Sequence, residues 1–234
     1  MSIRENRYKV IDRVIPRHVL VSVFDKTGLD GLVNGLIEVN PKVIFYSTGG
    51  TGKKIAEILG DKAAANYMPV EVFTGAPEME GGLVKTLHPK IHAGLLAERG
   101  NPAHMDYLER TLAGMGGEKG VYFDVLVANL YPFTDVVTKA ETTAETARVN
   151  IDIGGPAMTM AGAKNWHSVA VLSSPGQYAD FLMDISANGG AVTARKRFTL
   201  AKSAFAAVGR YRMAIADYFG KIDFDRDIAQ GLNL

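Results

Sequence analysis

Apolar residues along the chain fall into short continuous runs that alternate with stretches of helical spacing. HVLVSVF (18–24) is apolar and β-branched, and the turn residues Asp25, Lys26, Thr27 and Gly28 close it. LDGLVNGLIEVN then repeats apolar positions every three or four residues, so the order reads strand, loop, helix. In a second cycle KVIFYS (42–47) reads as strand, STGGT as a glycine-rich loop, and GKKIAEILG sets Ile55, Ile58 and Leu59 on one helical face. Two successive βα units imply a parallel sheet. FDVLVANL (123–130) and SVAVLSS (168–174) are runs of the kind buried on both faces, with helical stretches predicted around 103–114, 157–164 and 176–187. The segment 193–221 has no proline and spaces Phe198, Ala201, Phe205, Val208 and Tyr211 by three or four. It predicts one long C-terminal helix, packed on the sheet or on a second copy of the chain. The class is α/β. With no internal repeat or proline-rich linker, the expected organisation is a polar lead-in over 1–16, one domain over 17–221 and a tail over 222–234.

Composition narrows the classes. With 234 residues, 47% hydrophobic and 22% charged, the chain buries a core and is not disordered. Lys plus Arg number 26 and Asp plus Glu 25, a net charge of +1, which argues against nucleic acid or a membrane surface as partner. The absence of cysteine removes disulfides, thiolate metal sites and a cysteine nucleophile. MSIRENRYKV interleaves charges where a secretory signal needs an apolar core, and no stretch approaches the roughly 18 apolar residues of a membrane span. A soluble, cytoplasmic protein is expected.

Several loops carry candidate chemistry. Ser47-Thr48-Gly49-Gly50-Thr51-Gly52-Lys53-Lys54 lies between a strand and a helix, where free backbone N–H groups and the helix dipole favour phosphate. It matches neither the Walker A pattern nor the dinucleotide GxGxxG, and a tight βα turn that binds nothing is the competing reading. Lys26, at the end of the first strand, is placed to face a phosphate, unless Asp25 or Thr27 merely caps the next helix. Gly81 to His92 collects two lysines and two histidines. His88 and His92 have the spacing of a helical metal pair, but Pro89 lies between them and no third ligand or HExxH glutamate is near, so hydrogen-bonded histidines are expected there. Asn129 and Tyr131 end an apolar strand where a ligand crevice belongs, although Tyr131 also serves as a turn anchor before Pro132. Gly154 and Gly155 expose amides ahead of a helix that Pro156 suits. Asp152 and Lys164 stand 12 residues apart, a spacing that leaves open whether they meet.

Taken in order, VSVFDKTGL, STGGT, FTGAPEMEGGLVKTLHPKIHAGLLA, VANLYPF, NIDIGGPAM and AKN resemble one family over about residues 17–220. The family is the IMP cyclohydrolase domain, the N-terminal half of a bifunctional purine-biosynthesis enzyme whose other half is AICAR transformylase. The resemblance implies a methylglyoxal-synthase-like fold, a doubly wound, mostly parallel sheet. It implies closure of 5-formamidoimidazole-4-carboxamide ribonucleotide (FAICAR) to IMP with loss of water, without metal or organic cofactor. The carboxamide nitrogen loses a proton as it attacks the formyl carbon, and the formyl oxygen gathers negative charge before leaving.

Carried over residue by residue, the resemblance implies that Lys26, Thr48, Gly49, Gly50 and Thr51 hold phosphate and ribose. Lys85, Thr86, Asn129, Tyr131, Asp152 and Ile153 would lie around the base, and Phe24, Asp25, Leu83, Val84, Ala128, Gly154 and Gly155 would complete the substrate site. The expected catalytic set is Lys164 with Asp152 for proton transfer, which requires a desolvated Lys164, and Lys85 with the Tyr131 hydroxyl for the oxyanion. Phe24, Leu83, Met160 and Trp166 depart from the family's usual Ser, Arg, Arg and His, with Arg99 or Lys90 as candidate substitutes for the missing guanidinium groups. Because the chain ends where the transformylase half would begin, formyl transfer is expected from a separate AICAR transformylase. A homodimer through the C-terminal helix and a purely intrachain role for that helix are both compatible with the sequence. Competing functions are a non-catalytic purine-nucleotide-binding module of the same fold and, on fold alone, a phospho-lyase of the methylglyoxal-synthase type.

Overall fold

The structure, a computed structural model, describes residues 8–77 and 84–229. Five parallel strands, β1 (His18–Val23), β2 (Ile44–Ser47), β3 (Tyr67–Pro69), β4 (Val125–Asn129) and β5 (Ala170–Leu172), stand in the order β3-β2-β1-β4-β5. Among the described residues six helices run eight residues or more: α1 (Leu29–Val39), α2 (Gly49–Leu59), α3 (Pro89–Leu96), α4 (Gly154–Lys164), α5 (Tyr178–Ala187) and α6 (Ala194–Phe219). The period-2 alternation of the strands divides the core. Val19, Val21 and Val23 of β1 pack with Leu32 and Leu36 of α1, Ile55 of α2 and Phe181 of α5, whereas Leu20 faces Ile91 of α3, Met158 of α4 and Ala204 of α6. The result is a doubly wound sheet with helices on both faces. The register Val19↔Val125 through Val23↔Asn129 brings β1 and β4 to an end together, at the point where the strand order reverses.

Two sequence expectations need correction. β3 was not foreseen: it is three residues long and ends in proline, which an edge strand tolerates because it lacks a neighbour on one side. The long helix forms as expected, but its buried face is Arg197, Leu200, Ala201, Ala204, Val208 and Tyr211, while Phe198 and Phe205 are 47% and 40% exposed. The buried stripe is displaced because small alanines let α6 approach the sheet. The bulky rings flank the contact, Phe198 packing instead on Trp166 with centroids 5.0 Å apart.

Arg197 is fully buried and meets only backbone carbonyls. Its guanidinium donates to Trp166 (3.0 Å), His167 (2.9 Å), Asp12 (2.9 Å), Val192 (2.7 Å) and Ile11. One side chain thereby ties α6, the turn before β5 and the strand-like lead-in around Val14, which bridges to Val192. No described helix is long and apolar enough to cross a membrane.

Candidate active site at the strand-order reversal

The reversal between β1 and β4 is locked by Asn129. Its Oδ1 accepts the N–H groups of Phe24 (2.7 Å) and Asp25 (2.9 Å), and its Nδ2 donates to the Asp25 carbonyl (2.7 Å). Tyr178 adds a hydrogen bond to the same amide, and burial pushes its phenol up to about 12. Asn129, expected to touch the base, spends its acceptor pairs on the β1 turn and so shapes the crevice. Asp25 accepts the Thr27 N–H at 2.9 Å, and the Thr27 hydroxyl and amide hold its carboxyl below the usual aspartate range. Neither residue caps α1, whose N-cap is Gly28 in a left-handed conformation. The Lys26 ammonium turns back to the Phe24 carbonyl at 3.3 Å.

Two adjoining cavities occupy the crevice. The larger, about 420 Å³, is lined by Thr48, Val84, Lys85, Thr86, Asp152, Ile153, Gly154 and Gly155. The smaller, about 290 Å³, holds Phe24, Asn129 and Tyr131, and the two share Ser22, Ile151 and Asp152. The sequence-predicted residues Thr48, Lys85, Thr86, Tyr131 and Asp152, distant in the chain, therefore converge. Ala128 does not join them: its side chain points into the core beside Met158. Leu83 lies outside the described residues.

The cradle at α2 begins with Thr48 as N-cap, whose side chain makes no capping bond, so the first-turn N–H groups of Gly49 and Gly50 are uncapped by it. Gly49 has φ +50°, which a side chain resists, and the Lys85 ammonium lies 3.7 Å from where its Cβ would stand. Helix dipole and ammonium thus act on the same point. Thr51 is buried and donates to the Val23 carbonyl at 2.9 Å, so its hydroxyl joins the cradle to β1 rather than reaching for a ligand.

Asp152 precedes α4. Its carboxylate accepts the Gly155 N–H at 2.9 Å, and a Cβ at Gly155 would fall 2.3 Å from Oδ2, so glycine is required there. Burial raises its pKa from the ordinary aspartate value, opposed by the N–H groups of Gly155, Tyr131 and Gly154. The loop is braced from α6, where the Tyr211 hydroxyl accepts the Asp152 N–H at 2.7 Å. Tyr131 meets Phe24 edge-on with centroids 4.5 Å apart.

Lys164 is not brought to Asp152. It is the exposed last residue of α4, and 11 helical residues at about 1.5 Å each keep it some 15 Å from the crevice. Their 12-residue spacing spans a whole helix, so within one chain the two side chains do not meet. Lys164→Ala is expected to leave ligand binding and any turnover in the crevice largely intact, and loss of turnover with the fold intact would reverse this assignment. The expected stand-ins for missing arginines are also elsewhere. Arg99 pairs with Asp124 before β4, and Lys90 is fully buried, donating to the carbonyls of Phe73, Gly116 and Glu118. His88 accepts the Lys90 N–H as the N-cap of α3, and His92 bonds the Thr86 backbone.

Sequence reasoning missed Ser22, Tyr178 and Tyr211. Ser22 carried a readable signal, a polar residue within the apolar run of β1, on the face that opens into the crevice. The tyrosines sit on α5 and α6, and nothing local in their helices marks them.

Fold and crevice together define a doubly wound α/β domain with a cavity at its switch point that joins a helix N-terminus, an ammonium and a carboxyl. The chain belongs to the AICARFT/IMPCHase bienzyme family. The family model matches residues 162–233. The bifunctional purine biosynthesis protein PurH of Xanthomonas axonopodis pv. citri is 45% identical over 207 residues, 88% of this chain and 36% of that protein. PurH of Synechococcus sp. WH7803 is 46% identical over 196 residues, 84% and 35%. The chain thus spans about a third of the length of these curated relatives. The crystal structure of ForH superposes with a TM-score of 0.67 at 28% identity, covering 87% of this chain and 99% of ForH.

Proposed function

We propose that the crevice is an IMP cyclohydrolase site that closes FAICAR to IMP and releases water. The observation that carries this reading is the meeting of the uncapped start of α2, the Lys85 ammonium and the half-buried Asp152 carboxyl in one cavity. The ribonucleotide phosphate lies at Thr48, Gly49 and Gly50, and the base extends toward Asp152 and Tyr131. Asp152 takes one proton from the carboxamide nitrogen as that nitrogen bonds to the formyl carbon. Lys85 and the Tyr131 hydroxyl stabilise the formyl oxygen as it gains charge and is protonated. The formamide N–H then gives up its proton, the hydroxyl departs as water, and the C=N bond of the purine forms. Lys164 takes no part in this scheme. The PurH names of the relatives support purine biosynthesis as the setting.

The test is an absorbance assay in which purified protein is mixed with FAICAR and IMP formation is followed. Turnover is expected, with loss in Lys85→Ala. No turnover by the wild-type chain, with IMP still bound, would replace catalysis by the nucleotide-binding reading.

A further inference from the structure

A cavity larger than either part of the crevice opens at the amino ends of the central strands, opposite the crevice. It measures about 610 Å³, against about 420 Å³ in the crevice, and is built where β1 and β4 begin, at Arg17, His18 and Asp124. Six residues of β1 at about 3.3 Å each separate it from Phe24 by some 20 Å. Arg13, Arg17, Arg99 and Lys119 line it, opposed by Glu109 and Asp124. Asp124 is already engaged: Oδ2 accepts the N–H groups of Arg17 (2.8 Å) and His18 (2.7 Å), and Oδ1 takes the Arg99 guanidinium. Among the described residues no hydrogen bond or ion pair holds the side chains of Arg13, Arg17 or Lys119, all three exposed. In a chain of net charge +1 this excess of cations is local, and it is concave rather than spread over a face. Val14, Val121 and the Tyr122 ring supply an apolar wall, with Arg99 set 5.1 Å over that ring.

We propose that this cavity is a second anion site that receives a small organic phosphate. The phosphate sits among Arg13, Arg17 and Lys119, as cations without a carboxylate partner favour, and the organic body lies against Val14, Val121 and Tyr122. The volume suits a single small molecule. A nucleic acid would need a basic surface continuing beyond the cavity, which the balanced net charge argues against. The site is independent of the cyclohydrolase reading, because it shares no residue with the crevice.

The experiment is amide-resolved NMR of the full chain titrated with phenyl phosphate and, separately, with inorganic phosphate. Saturable shifts are expected at Arg17, His18, Tyr122 and Asp124, with phenyl phosphate at least about tenfold tighter because its ring is buried. The triple variant Arg13→Ala/Arg17→Ala/Lys119→Ala is expected to lose them while keeping its melting temperature and any shifts at Gly49 and Gly50, which report the crevice. The proposal fails if those four amides do not respond, if their response survives in the triple variant, or if both anions bind equally, which would leave no role for the apolar wall.

Discussion

Asp152→Asn is expected to lower kcat for ring closure by about 10²- to 10⁴-fold, the usual contribution of a positioned general base, with little change in KM. The amide still accepts the Gly155 N–H that holds the start of α4, so the crevice keeps its shape and only the proton acceptor is lost. Burial raises the Asp152 pKa above the ordinary aspartate value, which displaces the acid limb of the wild-type kcat/KM profile to higher pH than an ordinary aspartate gives. Linkage fixes the accompanying sign. Because the folded state holds this proton more tightly than the unfolded chain, the ionised carboxyl costs stability above its folded pKa, and that cost disappears as pH falls below the unfolded value. Asp152→Asn is therefore expected to melt no lower than the wild type at pH 7. Activity close to wild type, or an acid limb at the ordinary aspartate position, would remove Asp152 from the base role.

The βα cycles were legible in the sequence because β-branched runs and helical spacing are local patterns, and the loops at Thr48 and Asp152 followed from where parallel strands end. What was not legible depends on distance through space. The 12 residues between Asp152 and Lys164 contain an entire helix, and only its observed length shows that the ends cannot meet. Asn129 could be placed at a strand end, but not its double acceptance of the β1 turn amides, which turns an expected ligand contact into a structural lock. Phe198 and Phe205 stand out on the predicted contact face of the helix because large apolar rings dominate any hydrophobic pattern. The helix instead seats Ala201 and Ala204, where small size permits close approach, and an arginine that no periodicity analysis assigns to a core.

That arginine gives the largest expected effect on stability. Burial pulls the Arg197 pKa down to about 10, so it remains a cation at pH 7, with every hydrogen bond going to carbonyls of three separate segments and none to a carboxylate. Methionine fills a comparable volume but leaves those carbonyls without donors, each costing about 1–3 kcal/mol if it stays dry. Some will be reached by water, so Arg197→Met is expected to cost about 3–5 kcal/mol in total, the range seen when one member of a buried polar cluster is removed. For a chain of this size each kcal/mol moves Tm by about 2–4 °C, so calorimetry should record a fall of about 10 °C. Arg197→Lys should lose most of the same stability, because an ammonium is a point donor and cannot span carbonyls on opposite sides of a planar fork. A melting temperature within about 2 °C of wild type in both variants would mean that the lead-in, the turn before β5 and α6 are held together by packing alone.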